Sequence, residues 1–236
     1  MVDDSFKKPI VVIACKVFQA LFERFARPGM IKKYIYLEYG LHNYPRKLNQ
    51  AVQEALDCLS EPSLIVLGYG LCGNGLSGIQ AGKHTLLIAR ADDCIAIFLG
   101  SYERYQHEFK FQSGTYYLTK GWLESGSNPL QEYQSYVQKY GLDKANWLID
   151  SLYHNYKRLV LVAHSREELE TYRSKAQEVA KFCERWGMQY QEILGSSEYF
   201  EHLIQVALLS EQPDENFILI SPGGELHQGQ FQRVAL

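Results

Sequence analysis

No apolar run in this sequence approaches the roughly 20 residues that a bilayer-spanning helix needs, so no membrane span is expected. No charge of one sign dominates either: 24 Lys and Arg face 27 Asp and Glu, for a net charge of −3. The basic residues are scattered, so the chain lacks the positive stripe that binding to nucleic acid requires. The start "MVDDSFKKPIVVIACKVF" opens with acids and has no small-residue cleavage site after its apolar stretch. A cytoplasmic location is therefore expected. There is no Cys-x-x-Cys pair, and only five cysteines occur in 236 residues. In a reducing compartment they speak of packing, catalysis or metal rather than of disulfides. Their positions have to decide which.

What is present is ample apolar material, 46% of residues, enough for one large domain or two small halves. "PIVVIAC" (9 to 15) is a β-branched run ending in Cys15, and "KVFQALFERFA" follows at helical spacing until Pro28-Gly29. "KYIYLEYG" reads as a second strand, ended by Gly40, Leu41 and His42. Pro45 suits the first turn of the helix "PRKLNQAVQEALDCLSE". "SLIVLGYG" is a third strand, leading to Cys72, and "HTLLIAR" a fourth, leading to Cys94.

Residues 102 to 155 are aromatic and richer in helix signals. "SGTYYLTKGW" (113 to 122) has no clear period, and Asn128-Pro129 to Gly141 reads as a capped helix. "YKRLVLVAH" is then a strand, Ser165 with Glu168 forms a capping box for a helix reaching about Trp186, and strand, helix, strand complete the chain. The pattern is α/β: a doubly wound, mostly parallel sheet in two Rossmann-like halves with a helical insertion between them. The expected parts are 1–101, carrying a Cys/His cluster, 102–155 as insertion or lid, and 156–236 as the second half, packed as one compact unit.

Ligands of open parallel sheets bind at the carboxyl ends of the strands, beside the switch in strand order. Cys15, His42, Cys72 and Cys94 each follow a different strand, so all four fall at one rim. Three thiols and an imidazole are the donor set of zinc or of an iron–sulfur centre. Gly70, Gly73 and Gly75 let the backbone approach a cofactor closely, and a helix starting after that turn would lower the pKa of Cys72. Against this stands the tendency of free cysteine to pack as a small hydrophobe, which is the preferred account of Cys58 and Cys183 inside helices. His42 equally suits a turn.

Arg90 and Asp93, with Asp92, adjoin Cys94 and are candidates to bind an anionic substrate or supply a general base. "SPGGE" (221 to 225) is a weaker phosphate candidate, more simply a turn. His164 and Ser165 lie at another strand end, although capping explains the serine. Tyr116, Tyr117 and Trp122 are candidates for an aromatic lid or for ordinary packing.

The segments "AC" (14 and 15), "GLHNYP" (40 to 45), "LGYGLCGNG" (67 to 75), "RADDCI" (90 to 95), "LGSYERY" (99 to 105) and "GTYYLTKGW" (114 to 122) together resemble an uncharacterised bacterial and archaeal family, domain of unknown function 1638. At Asp92 the chain departs from that pattern, which frequently has histidine there. The resemblance spans nearly the whole chain and implies a neighbourhood rather than a reaction: members are often encoded beside corrinoid-dependent methyltransferases, which points to thiol or one-carbon chemistry.

The expectation that follows is a metal-dependent enzyme, a transferase by that neighbourhood, acting on a small molecule. Zinc is the first choice of metal and a four-iron four-sulfur cluster the alternative. A homodimer and a corrinoid methyltransferase are the expected partners. The competing expectations are a non-catalytic accessory protein that carries a corrinoid, nucleotide or metal, and a metal-free thiol enzyme using Cys72 and His42. The chain lacks the Asp-x-His-x-x-Gly pattern of many corrinoid carriers.

Overall fold

The computed structural model describes residues 8–209 and 213–233. They form an α/β protein whose chain divides into two units, residues 1–97 with 198–236, and residues 98–197.

In the first unit, β1 (Ile10–Cys15), β2 (Lys33–Leu37), β3 (Leu64–Gly68), β4 (Thr85–Ala89) and β8 (Phe217–Ile220) form a sheet of order β2-β1-β3-β4-β8. The first four strands run parallel, and β8 lies antiparallel to β4. The β-branched and leucine-rich runs of β1, β3 and β4 are buried almost throughout, as strands covered on both faces must be. The helices are α1 (Gln19–Phe25), α2 (Pro45–Asp57) and α9 (Glu198–Leu209). Leu48, Val52 and Leu56, spaced at helical period, form the buried stripe of α2. The ring of Phe200 on α9 meets Phe22 on α1 edge to face at 4.6 Å, and both rings are fully buried.

The second unit carries β5 (Thr115–Leu118), β6 (Arg158–Ala163) and β7 (Gln189–Leu194) in a parallel sheet of order β5-β6-β7. Its helices are α4 (Tyr102–Phe111), α5 (Lys120–Ser125), α6 (Pro129–Tyr140), α7 (Leu142–Tyr153) and α8 (Arg166–Cys183). α3 (Cys94–Leu99) carries the chain from the first unit into the second. Leu118, Ile149, Leu159, Leu161 and Cys183 share the core of the second unit.

Both expected helix starts are present. Asn128 Oδ1 accepts from the Gln131 amide at 3.2 Å, and Ser165 Oγ accepts from the Glu168 amide at 3.0 Å. Glu168 returns its carboxylate to the amide of His164 rather than to that of Ser165, one residue earlier than in the usual box.

The three-part division of the chain is redrawn. "SGTYYLTKGW" contains β5, so residues 102–155 supply a strand as well as helices to the second sheet. Residues from 198 onward leave the expected second half: α9 packs on α1, and β8 closes the far edge of the first sheet. The reason is non-local. A four-residue strand has little sequence signal of its own and is defined by the strand it pairs with. The expected final helix, "SSEYFEHLIQVALLS" (196 to 210), ends at Ser210, which with residues 211–212 and the chain ends at 1–7 and 234–236 lies outside the described residues.

Candidate functional site

The strand order of the first sheet reverses between β1 and β3, because β2 follows β1 on one side and β3 follows on the other. That switch opens a crevice at the carboxyl ends of the two strands. Cys15 is the last residue of β1. Ala14 pairs with Gly68 in the parallel register, so Tyr69 stands one step beyond, level with Cys15. Gly68 is required there, since a Cβ would fall 2.5 Å from that of Ala14.

Beyond Tyr69 the chain does not enter a helix, contrary to the expectation for the glycine-rich segment. It makes a left-handed turn instead. Cys72, Gly73 and Asn74 have successive φ angles of 48°, 62° and 69°. Left-handed backbone costs a residue with a Cβ about 1–2 kcal/mol, and only glycine and, to a degree, asparagine are suited to it. Cys72 is not. The strained turn is held by hydrogen bonds from the amides of Leu71 and Cys72 to the carbonyls of Ala91 and Asp92, at 2.8 and 2.9 Å, and from the Gly75 amide to the Cys72 carbonyl at 3.1 Å.

The three glycines expected at a cofactor have packing work in this turn. A Cβ on Gly70 would lie 2.7 Å from the Asp93 carbonyl carbon, and one on Gly75 would lie 2.7 Å from Leu48 Cδ2. Gly73 provides the middle left-handed residue. With no helix following, the turn offers no helix N-terminus to lower a thiol pKa or hold a phosphate.

Cys15, Cys72 and Cys94 are all buried. A side-chain hydrogen bond with Cys72 and desolvation push the Cys94 thiol well up, and Cys15 adds to the effect. Burial pushes the Cys15 thiol up to about 12, with Cys72 again contributing. Three strand ends thus deliver three sulfurs, and Cys72 acts on both of the others. His42 lies in the 3-10 turn Leu41–Asn43 after β2, the neighbour of β1, and burial lowers its pKa, so the imidazole is neutral and able to donate a lone pair.

Among the described residues, no group of three or more His, Cys, Asp or Glu side chains already stands at metal-holding geometry. The donor types nevertheless suit a soft metal: the three thiols are buried and act on one another's surroundings electrostatically.

The other candidates are used locally. Asp93 Oδ1 accepts from the Ile95 amide at 2.8 Å and so caps α3. Arg90 is tied by its backbone toward β8: its amide donates to the Asn216 carbonyl at 2.8 Å, and its carbonyl accepts from the Tyr199 hydroxyl at 3.3 Å. Burial raises the pKa of Asp92, and Arg233 opposes the shift. Cys183 is in the core of the second unit, whereas Cys58 is exposed at the end of α2 rather than packed.

One residue of the site escaped the sequence reading. Tyr69 is 2% exposed, its electrostatic neighbours are Cys15, Cys72 and Cys94, and its hydroxyl has no hydrogen-bond partner among the described residues. A large aromatic between two glycines at a strand end was the available signal.

In the second unit, a cleft of about 550 Å³ is lined by Arg104, Glu108, Arg173 and Glu192, among others. Several of its charged side chains are engaged within the fold. Arg173 grips Glu192 at 2.8 and 2.9 Å, and Arg104 donates to the carbonyls of Leu99 and Leu194.

No helix among the described residues is long and apolar enough to cross a membrane. No curated protein and no solved structure matches the chain. The family model described as "Protein of unknown function (DUF1638)" matches residues 36–204, which takes in the segments from Gly40 to Trp122 but not Cys15, and the chain belongs to that family.

Proposed function

We propose that this protein is a metal-dependent enzyme in which Cys15, Cys72 and Cys94 hold one metal centre, with His42 as fourth ligand or as partner of an open position. The left-handed turn at 72–74 carries the reading. It sets a residue poorly suited to that backbone beside two other buried thiols, at the switch point of a parallel sheet. Strain of this kind persists where surrounding structure enforces it, and it clusters at functional sites. Zinc suits the donor set best, and a four-iron four-sulfur cluster on three cysteines is the alternative.

When bound, such a centre supplies Lewis acidity toward a small substrate, a thiol or a one-carbon unit. The chain's own residues do the rest. The strand ends fix the three sulfurs; the hydrogen bond with Cys72 together with burial favours the neutral thiol of Cys94, and burial favours that of Cys15. Their protons leave as the metal enters, so loading is favoured by rising pH. Asp93 holds the first turn of α3, and with it Cys94, in place. A corrinoid methyltransferase is the partner class, a homodimer the assembly and the cytoplasm the compartment in this reading. The alternative of a nucleotide-carrying accessory protein has less support, because the glycine turn leads into no helix.

The test is elemental analysis with an ultraviolet-visible spectrum of protein purified without oxygen. About one zinc or about four iron atoms per chain are expected. Cys72→Ser and Cys94→Ser should each lose most of that metal. Full metal content in both variants rejects the reading.

A further inference from the structure

Tyr69 has a hydroxyl that the fold itself does not use. The chain on both sides of Tyr69 is held by close contacts that only glycine permits: Gly68 is pressed against Ala14 of β1, and Gly70 against the backbone of residues 91 and 93. The residue stands one step beyond β3, level with Cys15, and it is 2% exposed. Its hydroxyl finds no hydrogen-bond partner among the described residues. Leaving a buried hydroxyl unpaired is costly, and phenylalanine would fill the same space without that cost. Its electrostatic neighbours are Cys15, Cys72 and Cys94. A phenol is an uncharged hydrogen-bond donor across the physiological range.

We infer that the Tyr69 hydroxyl is a specificity-determining hydrogen-bond donor for a small exogenous thiol, which binds beside Cys15, Cys72 and Cys94 and accepts that bond on its sulfur. The inference rests on the three-thiol metal reading above and adds to it the class of the ligand and the residue that selects it. A buried, uncharged donor favours a compact acceptor over a bulky or cationic one. A thiol that gives its proton to solvent on binding presents such an acceptor.

The test uses the full chain loaded with Co2+ under anaerobic conditions, as wild type and as Tyr69→Phe. The visible d–d and sulfur-to-cobalt bands are followed while 2-mercaptoethanol is added. Both proteins are expected to hold about one Co2+ per chain. The half-saturating thiol concentration should rise about tenfold or more in the variant, the effect of losing a hydrogen bond to a charged acceptor. A melting temperature at or above that of wild type shows that Tyr69→Phe is folded.

If the two titrations agree within about twofold, the hydroxyl does not serve the ligand and the inference is overturned while the metal reading stands. Loss of cobalt from Tyr69→Phe also overturns it, since the hydroxyl then serves the protein's own cluster. A wild-type chain that takes up no cobalt removes the three-thiol reading and this inference with it.

Discussion

Arg158 and Tyr69 are both almost wholly buried, at 4% and 2% exposure, and the fold treats them in opposite ways. Arg158 opens β6 in the second unit, and each of its guanidinium nitrogens is engaged. Nε donates to Thr115 Oγ1 at 2.9 Å, one terminal nitrogen to Gln191 at 3.1 Å, and the other to Glu108 at 2.6 Å. One side chain therefore ties β5, β7 and α4 to the central strand. Tyr69, at the carboxyl rim of the first sheet, has a hydroxyl with no hydrogen-bond partner among the described residues, and three thiols are its electrostatic neighbours. A buried polar group with every partner in place specifies a fold. One with none carries a desolvation cost that hydrogen bonding within the fold does not offset.

The comparison breaks most forcefully at Glu108. Glu108→Ala leaves the Arg158 charge buried without its counter-ion and should destabilise the second unit by about 3–5 kcal/mol, read by urea unfolding and by lost exchange protection in β5–β7. Replacing both partners, Arg158→Met with Glu108→Leu, should recover most of that loss. No recovery would mean that the ion pair does more than satisfy itself.

Alkaline stability comes next. Burial raises the Cys183 thiol from 9.0 to about 12. A group whose folded pKa lies above its unfolded value stabilises fully below the unfolded pKa and loses that contribution as pH rises. Stability should therefore fall between pH 9 and about 12, by up to about 1.4 kcal/mol per pH unit for this thiol. Cys15 shifts in the same direction, so Cys183→Ala should remove only part of the slope in denaturation midpoints measured across that range.

A smaller effect of opposite sign is expected at Tyr69. Tyr69→Phe relieves an unpaired buried hydroxyl and should stabilise the metal-free protein by about 1 kcal/mol in the same unfolding assay. A loss of stability would show that the hydroxyl is satisfied within the fold. Smallest of all is Cys58→Ser, exposed at the end of α2. It should change stability by less than about 0.5 kcal/mol and leave metal content unaltered, in contrast to Cys72→Ser and Cys94→Ser.

Local chemistry was legible wherever it acts over a few residues. The run from Ile10 to Cys15, the stripe of Leu48, Val52 and Leu56, and the caps at Asn128 and Ser165 all form as their spacing and side chains dictate. The placement of Cys15, His42, Cys72 and Cys94 after four parallel strands was legible for the same reason. A strand's end is marked by its own residues, and parallel strands share one carboxyl rim. Less was readable in "LGYGLCGNG", where the glycines suggested a helix start. The chain turns left-handed there instead, with Gly70 pressed against residues 91 and 93 and Gly75 against Leu48, contacts that no local pattern encodes.

The sequence by itself determined the α/β class, the helix starts set by caps, and the end of β1 at Cys15. Tertiary structure alone decided that β5 belongs to a sheet, that α9 and β8 return to the first unit, and that Tyr69 shares the crevice with the three thiols. The division follows from range. Capping and periodicity are settled within a turn or two of chain, whereas strand partnership and the surroundings of a buried hydroxyl depend on residues far apart in sequence, whose meeting only the packed core can arrange.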